Sequence, residues 1–276
     1  MDESLPRIKD MKYLTTVVIL IVVLLLLAAS DLHLLVFKNP DPEPKKELLV
    51  YCGITMIKPM SEIASIIERQ HGVKISLIKG GSGNLLKSIK FNKLGDLFLP
   101  GSASYIKQSK AEGLVTESVH VGFNKAAMMV QKGNPRAVKP DLGELKDKSY
   151  YVVIGNPDSG SIGKETRKIL TAAHIFDDVL NNARELTTDS KRLIEVLKKG
   201  EADLVINWYA TSVWVENREY VDTLPIDKQY AQKKRLELGL LKSSKYPDVA
   251  RKFMAFAASE EGNRIFEKYG LYNVEQ

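Results

Sequence analysis

Short β-rich runs alternate with amphipathic helical stretches along most of this chain, and that alternation leaves few architectures open. Leu48–Tyr51 reads as a first strand. Pro59 then stands where a helix can begin, and Met60, Ile63, Ile66 and Ile67 fall on one helical face. Val73–Ile78 is the next predicted strand, followed by a glycine-rich turn and a helix carrying Leu85, Leu86 and Ile89. Further strands are predicted at Asp96–Leu99, Lys125–Gln131 and Tyr150–Ile154, and a helix at Gly163–Ala173. The helix Ser190–Lys199 leads through Gly200 to a strand at Asp203–Ile206. A late strand, Leu236–Leu241, precedes two helices, Pro247–Ala258 and Glu261–Tyr269. This spacing predicts an α/β protein with mainly parallel sheet.

The strand-to-helix turns carry the chemistry. Gly53-Ile54-Thr55, Gly80-Gly81-Ser82-Gly83, Ser159-Gly160-Ser161-Ile162-Gly163 and Thr187-Thr188-Asp189-Ser190 are rich in glycine or hydroxyl residues. In open α/β sheets ligands bind at the carboxyl ends of strands. Helix N-termini there offer unpaired N–H groups and a positive dipole end, glycine lets the backbone approach, and Ser or Thr adds a hydroxyl donor. The same residues also serve as ordinary turn and N-cap chemistry, so from the turns alone both readings stand.

The N-terminal region is a different material. Val17–Ala29 has no polar side chain, and apolar character resumes at Leu34–Phe37. The segment 1–38 therefore reads as a signal or anchor segment, long enough to span a bilayer if uncleaved, with a small-residue cleavage site at Ala28-Ala29-Ser30 as the alternative. A proline-rich linker follows at 39–47, in which Pro40, Pro42 and Pro44 exclude helix and sheet. Residues 46–276 carry 35 basic against 28 acidic side chains, a balance that suits mild attraction of anions as well as an ordinary basic surface. No basic run interleaved with aromatics points to nucleic acid. Cys52 is the sole cysteine, which excludes an intrachain disulfide and argues against a thiolate metal site.

Catalytic patterns do not close. Gly80-Gly81-Ser82-Gly83-Asn84 misses the nucleophile elbow at its last position, and Gly163-Lys164 lacks both the earlier glycine and the Ser/Thr of a phosphate loop. His33, His71, His120 and His174 stand alone, and no carboxylates are marked as an acid/base pair. The expectation is a protein that is not an enzyme, with no cofactor and no cation site.

In order and spacing, Leu49–Thr55, Gly81-Ser82-Gly83-Asn84-Leu85 and Gly95-Asp96-Leu97-Phe98-Leu99 resemble the opening of the molybdate/tungstate-binding proteins of ABC importers. Lys132-Gly133-Asn134-Pro135, Gly155-Asn156-Pro157, Gly200-Glu201-Ala202-Asp203 and the stretch from Ala258 to Gly270 continue the likeness, which covers roughly Leu48 to Leu271.

The resemblance implies a type II periplasmic-binding-protein fold within residues 48–276, two α/β lobes closing over a ligand cleft. One lobe is expected at about 48–122 plus 234–276 and the other at about 123–233. It implies a tetrahedral oxyanion held by neutral donors. The family's two serines correspond to Thr55 and Ser82, with Gly83 adjacent, its backbone donors to Ile162 and Ser190, and its tyrosine to Trp208, with Tyr209 beside it. It also implies a monomeric, extracytoplasmic receptor, attached to or exported across the membrane by its N-terminal segment, that serves a permease and an ATPase. A membrane-tethered sensory module for sulfate, phosphate or another small anion is the alternative. The altered first loop, the glycine-rich second loop and Trp208 in place of tyrosine leave the anion's identity open.

Overall fold

The computed structural model describes residues 17–26 and 46–273. Residues 1–45 and 46–276 form separate units. In the first, residues 17–26 form helix α1; the rest of the expected signal or anchor segment, with the linker up to residue 45, lies outside the described residues. Among the described residues no helix is long and apolar enough to cross a membrane.

The second unit is built on two five-stranded sheets. Strands β1 (Glu47–Gly53), β2 (Lys74–Gly80), β3 (Leu97–Leu99), β4 (Val115–Asn124) and β10 (Lys234–Leu241) pair in the order β2-β1-β3-β10-β4. Strands β5 (Ala126–Gln131), β6 (Val152–Gly155), β7 (Glu185–Thr187), β8 (Leu204–Trp208) and β9 (Val221–Leu224) pair in the order β7-β6-β8-β5-β9. The chain leaves the first lobe after β4 and returns to it through residues 225–233.

The expectation of mainly parallel sheet is corrected. β1 pairs in parallel with β2 and β3, and β6 with β7 and β8, but β10 runs antiparallel to β3 and β4, and β5 antiparallel to β8 and β9. The reversed strands are the ones beside the crossings: a strand leaving or entering a lobe without a helical return runs against its neighbours. Hydrophobic pattern does not report strand direction.

Each sheet has its own core. Leu48, Val50, Met60, Ile63, Phe253 and Phe266 pack in the first lobe, and Met129, Ile154, Leu193, Leu197, Val205 and Trp208 in the second. Full burial of such side chains is worth about 1.5–3 kcal/mol each, which fixes the helices by their apolar faces. In α2 (Ile57–His71) that face is Met60, Ile63, Ala64 and Ile67; in α7 (Ser190–Lys198) it is Leu193, Ile194, Val196 and Leu197.

Register then brings the turns into line. Gly53 at the end of β1 lies opposite Gly80 at the end of β2, and Gly155 at the end of β6 opposite Thr187 at the end of β7. The parallel strands of each lobe thus end level, and their following turns share one edge.

Candidate functional site

Four helix starts meet between the lobes. From the first lobe come the 3₁₀ turn Ile54–Met56 that precedes α2, and α3 (Ser82–Asn92). From the second come α5 (Ser161–Ala172) and α7. They enclose a cavity of about 10 Å³ lined by Gly53, Thr55, Ser82, Gly101, Ile162 and Ser190, among others. That is room for about one water-sized sphere.

The lobes touch through backbone. Gly83 and Asn84 in the first turn of α3 donate their N–H groups to the Ser159 carbonyl of the second lobe, at 3.1 and 3.3 Å. Only glycine permits this approach: a Cβ on Gly81 would lie 2.7 Å from the Thr188 carbonyl oxygen and 2.9 Å from that of Ser159. On the other side of the cavity a Cβ on Gly101 would collide with the Ser161 hydroxyl.

Donors remain over. Helix starts leave their first N–H groups without intrahelical acceptors. Neither α3 nor α5 is capped by a side chain, and among the described residues no acceptor pairs with the N–H of Ser82, Ser161, Ile162 or Ser190. In α7 the Asp189 carboxylate accepts from the N–H of Lys191 at 2.8 Å and of Arg192 at 3.3 Å, which leaves the Ser190 N–H ahead of it.

Two of the hydroxyls already accept a bond and keep a proton to give. Ser82 Oγ accepts the Gly101 N–H at 3.0 Å, and Ser161 Oγ accepts the Trp208 indole N–H at 3.2 Å. An oxygen that already accepts is free to turn its own proton toward a third group. The Thr55 hydroxyl, on a residue only 2% exposed, makes no hydrogen bond to a described residue. No Lys or Arg lines this cavity, and its one acidic residue is the capping Asp189. Such a ring of neutral dipoles at helix N-termini can hold an anion without a counter-charge.

Of the residues singled out in the sequence, Thr55, Ser82, Ile162 and Ser190 come together here. Gly83 sits one residue inside α3 and spends its N–H on Ser159. Trp208 is fully buried behind Ser161, its indole N–H committed to that hydroxyl, so it reaches the cavity only through Ser161. Tyr209 faces elsewhere, into a separate cavity of about 170 Å³ beside Lys125, Leu224 and Tyr272. Two participants escape the sequence reading, Gly101 and Asn207, and a third, Ser161, enters it only as part of its turn. Asn207 is fully buried in β8 and donates from Nδ2 to the Ser190 carbonyl at 2.9 Å, which fixes the start of α7. Ser161 was visible in its glycine-rich turn; Gly101 and Asn207 are tied to the site only across the fold.

Burial pushes the Cys52 thiol well above its ordinary value, away from thiolate chemistry. Among the described residues no three His, Cys, Asp or Glu side chains converge to hold a metal ion.

The family model described as bacterial extracellular solute-binding protein matches residues 48–272. A Haemophilus influenzae protein named only as a binding protein is 26% identical over 82% of this chain and 90% of its own length. A Bacillus subtilis protein named as an ABC transporter substrate-binding lipoprotein is 23% identical over 84% of this chain and 88% of its own. Among solved structures, the sulfate-binding protein SubI of Mycobacterium tuberculosis superposes with a TM-score of 0.73 at 14% identity, over 83% of this chain and 88% of its own. The periplasmic molybdate-binding protein of Azotobacter vinelandii gives 0.69 at 15% identity, over 82% and 99%. AfuA of Actinobacillus pleuropneumoniae, solved with fructose-6-phosphate, gives 0.70 at 19%, over 84% and 86%. At these identities the structures share the fold.

Proposed function

The chain belongs to the bacterial extracellular solute-binding protein family, and from that premise we propose that it captures a small tetrahedral oxyanion, molybdate or tungstate foremost, for an ABC importer. Its class does not depend on the anion: this is a substrate-binding protein of the ABC-transporter type, a class that hands small ligands to a permease and its ATPase. On the proposed reading it works outside the cytoplasm as a monomer, held or exported by segment 1–38, with lobes at about 48–122 plus 234–276 and 123–233.

The observation that carries the oxyanion is the convergence of unpaired N–H groups at Ser82, Ser161, Ile162 and Ser190 with the hydroxyls of Thr55, Ser82 and Ser161 around one small, cation-free cavity. A tetrahedral anion presents four oxygens and no protons, so it matches a shell made only of donors. Each bond to a charged oxygen is stronger than its neutral counterpart, and closing the lobes excludes the water that would compete. Two related folds are named for molybdate and sulfate and a third was solved with fructose-6-phosphate, and each of these ligands presents such a head.

Titration calorimetry of the purified protein against molybdate, tungstate, sulfate and phosphate tests the reading. Binding of at least one of them, weakened by Thr55→Ala, is expected. Heat from none of the four overturns it.

A further inference from the structure

Away from the cleft, one face of the first lobe is strongly basic. Helices α3 and α4 (Ala103–Ala111) lie side by side over its sheet, where Leu85, Leu86 and Ile89 from α3 and Tyr105 and Ile106 from α4 pack with Phe98. The helices and their C-terminal caps carry five exposed lysines, Lys87, Lys90, Lys93, Lys107 and Lys110, against one exposed carboxylate, Glu112. Lys90 pairs with Glu112 at 2.8 Å, and Lys110 donates to the Ser118 hydroxyl at 2.7 Å. Among the described residues Lys87, Lys93 and Lys107 have no ionic partner.

At the end of α3 this face carries an apolar tip. Phe91 is 88% exposed and Leu94 51% exposed, three residues apart across the last turn. Large apolar side chains grouped in water and rimmed by cations mark a surface that meets another one. The fold sets the tip at the edge where the chain enters the lobe. β1 begins at Glu47, opposite Lys74 at the start of β2. Just after Leu94, the Asp96 N–H donates to the Leu49 carbonyl and the Leu49 N–H to the Asp96 carboxylate, each at 2.8 Å. Ahead of Lys46 stand only the linker and the apolar segment 1–38, and from residue 38 to Lys46 a chain spans at most about 30 Å. The donor ring lies at the other edge of the sheet, where β1 and β2 end.

We propose that this face rests on a bilayer surface of anionic phospholipid, with Phe91 and Leu94 entering the headgroup layer and the unpaired lysines facing lipid phosphates. The proposal rests on the reading of segment 1–38 as a retained anchor for its geometry, and on α3 and α4 for its chemistry. Surfaces that join Phe and Leu to a lysine-rich face settle at the membrane interface. Each lysine beside an anionic leaflet adds an attraction that salt screens. A weak contact suffices, because a short tether keeps the effective concentration of lipid high. Contact at this edge leaves the cleft clear of the membrane.

Residues 46–276 contain both sheets and both cores, so they serve as a test protein without the leader. They should sediment with phosphatidylglycerol vesicles at least about ten-fold more than with phosphatidylcholine vesicles, and come off in about 0.5 M salt. Phe91→Ser, and separately Lys87→Gln with Lys93→Gln, should each cut the bound fraction at least about three-fold. The urea midpoint should hold, because all three side chains stand in water. In the full chain reconstituted into vesicles, the added emission of Phe91→Trp should be quenched by brominated phosphatidylglycerol. That of Val215→Trp, at an exposed position outside this face, should not. Equal binding to both lipids, binding that ignores the substitutions, or no quenching at position 91 refutes the contact. So does Phe91→Ser that spares vesicle binding yet halts uptake in cells, which assigns the tip to the permease. A full chain that alkaline carbonate strips from vesicles, while residues 46–276 still bind them, ends the anchor reading and leaves the lipid contact standing.

Discussion

The Ser82 and Ser161 hydroxyls show how a neutral site, on the proposed reading, would favour an anion. Each accepts a hydrogen bond from inside the protein, Ser82 from the Gly101 N–H and Ser161 from the Trp208 indole, and each therefore has its own proton to give. Ser82→Ala should weaken oxyanion binding by about 10–100-fold, the range for losing a hydrogen bond to a charged group, and lower stability by about 1 kcal/mol because the Gly101 N–H is stranded. Calorimetry and urea denaturation read the two effects separately. On the proposed reading Trp208 acts through Ser161, so a double-mutant cycle is informative: Trp208→Phe and Ser161→Ala together should cost no more binding than Ser161→Ala alone. Additive losses would mean that the indole contacts the ligand itself. The hydroxyls and glycines were legible in the sequence as turn residues. The acceptor bonds that turn them into donors were not, since Gly101 and Ser82, or Trp208 and Ser161, are distant along the chain.

At the level of elements, the site depends on where helices start. Asp189 caps α7 through two N–H groups, and Asp189→Ala should lower stability by about 1 kcal/mol, measured as a reduced urea midpoint at unchanged slope. The start of α3 acts differently, docking on the Ser159 carbonyl with Gly81 giving the clearance. Gly81→Ala should leave each lobe folded but hold the cleft apart. Small-angle scattering would then find the protein with ligand as extended as without it, and affinity would fall at least about ten-fold. Strands β1, β6 and β8 and helices α2 and α7 were legible because apolar residues recur at the right period. Strand β4 and helix α4 (Ala103–Ala111) were not. β4 has polar residues at Thr116, Glu117, Ser118 and His120, and its pairing with β10 supplies the stability its own pattern lacks.

Across the whole molecule the lobes are joined by charge as well as by backbone. Glu165 in α5 of the second lobe pairs at 3.0 Å with Lys234 at the start of β10, where the chain re-enters the first lobe. Burial pushes the Glu165 carboxyl above its ordinary value, and Lys234 offsets part of that. A carboxyl whose folded pKa is raised holds its proton more tightly folded than unfolded. Its contribution to stability is present below the ordinary value of 4.5 and is lost as pH rises through the raised one. Lys234→Met removes the closer partner, leaves the carboxylate only the weaker pull of Lys168 and should cost about 3 kcal/mol at pH 7. The loss should shrink when urea denaturation is repeated below the ordinary carboxylate range, and Glu165→Met in the same chain should restore most of it at pH 7. A loss equal at both pH values would assign the effect to packing.

By itself the sequence determined the alternating α/β plan, the helix faces that seek a core, and the glycine- and hydroxyl-rich turns at strand ends. These are local properties, set by side-chain period, turn conformation and the unpaired N–H groups of any helix start. The tertiary structure decided the rest: that strand ends fall level by register, that sheets mix parallel with antiparallel pairs, and that four helix starts from two lobes face one cavity. It also faces Tyr209 into another cavity and puts Trp208 one hydroxyl behind the small one. The physical reason is the same throughout: a donor becomes part of a site only when no partner within the protein claims it, and which partners lie near is settled by contacts between residues far apart in the chain.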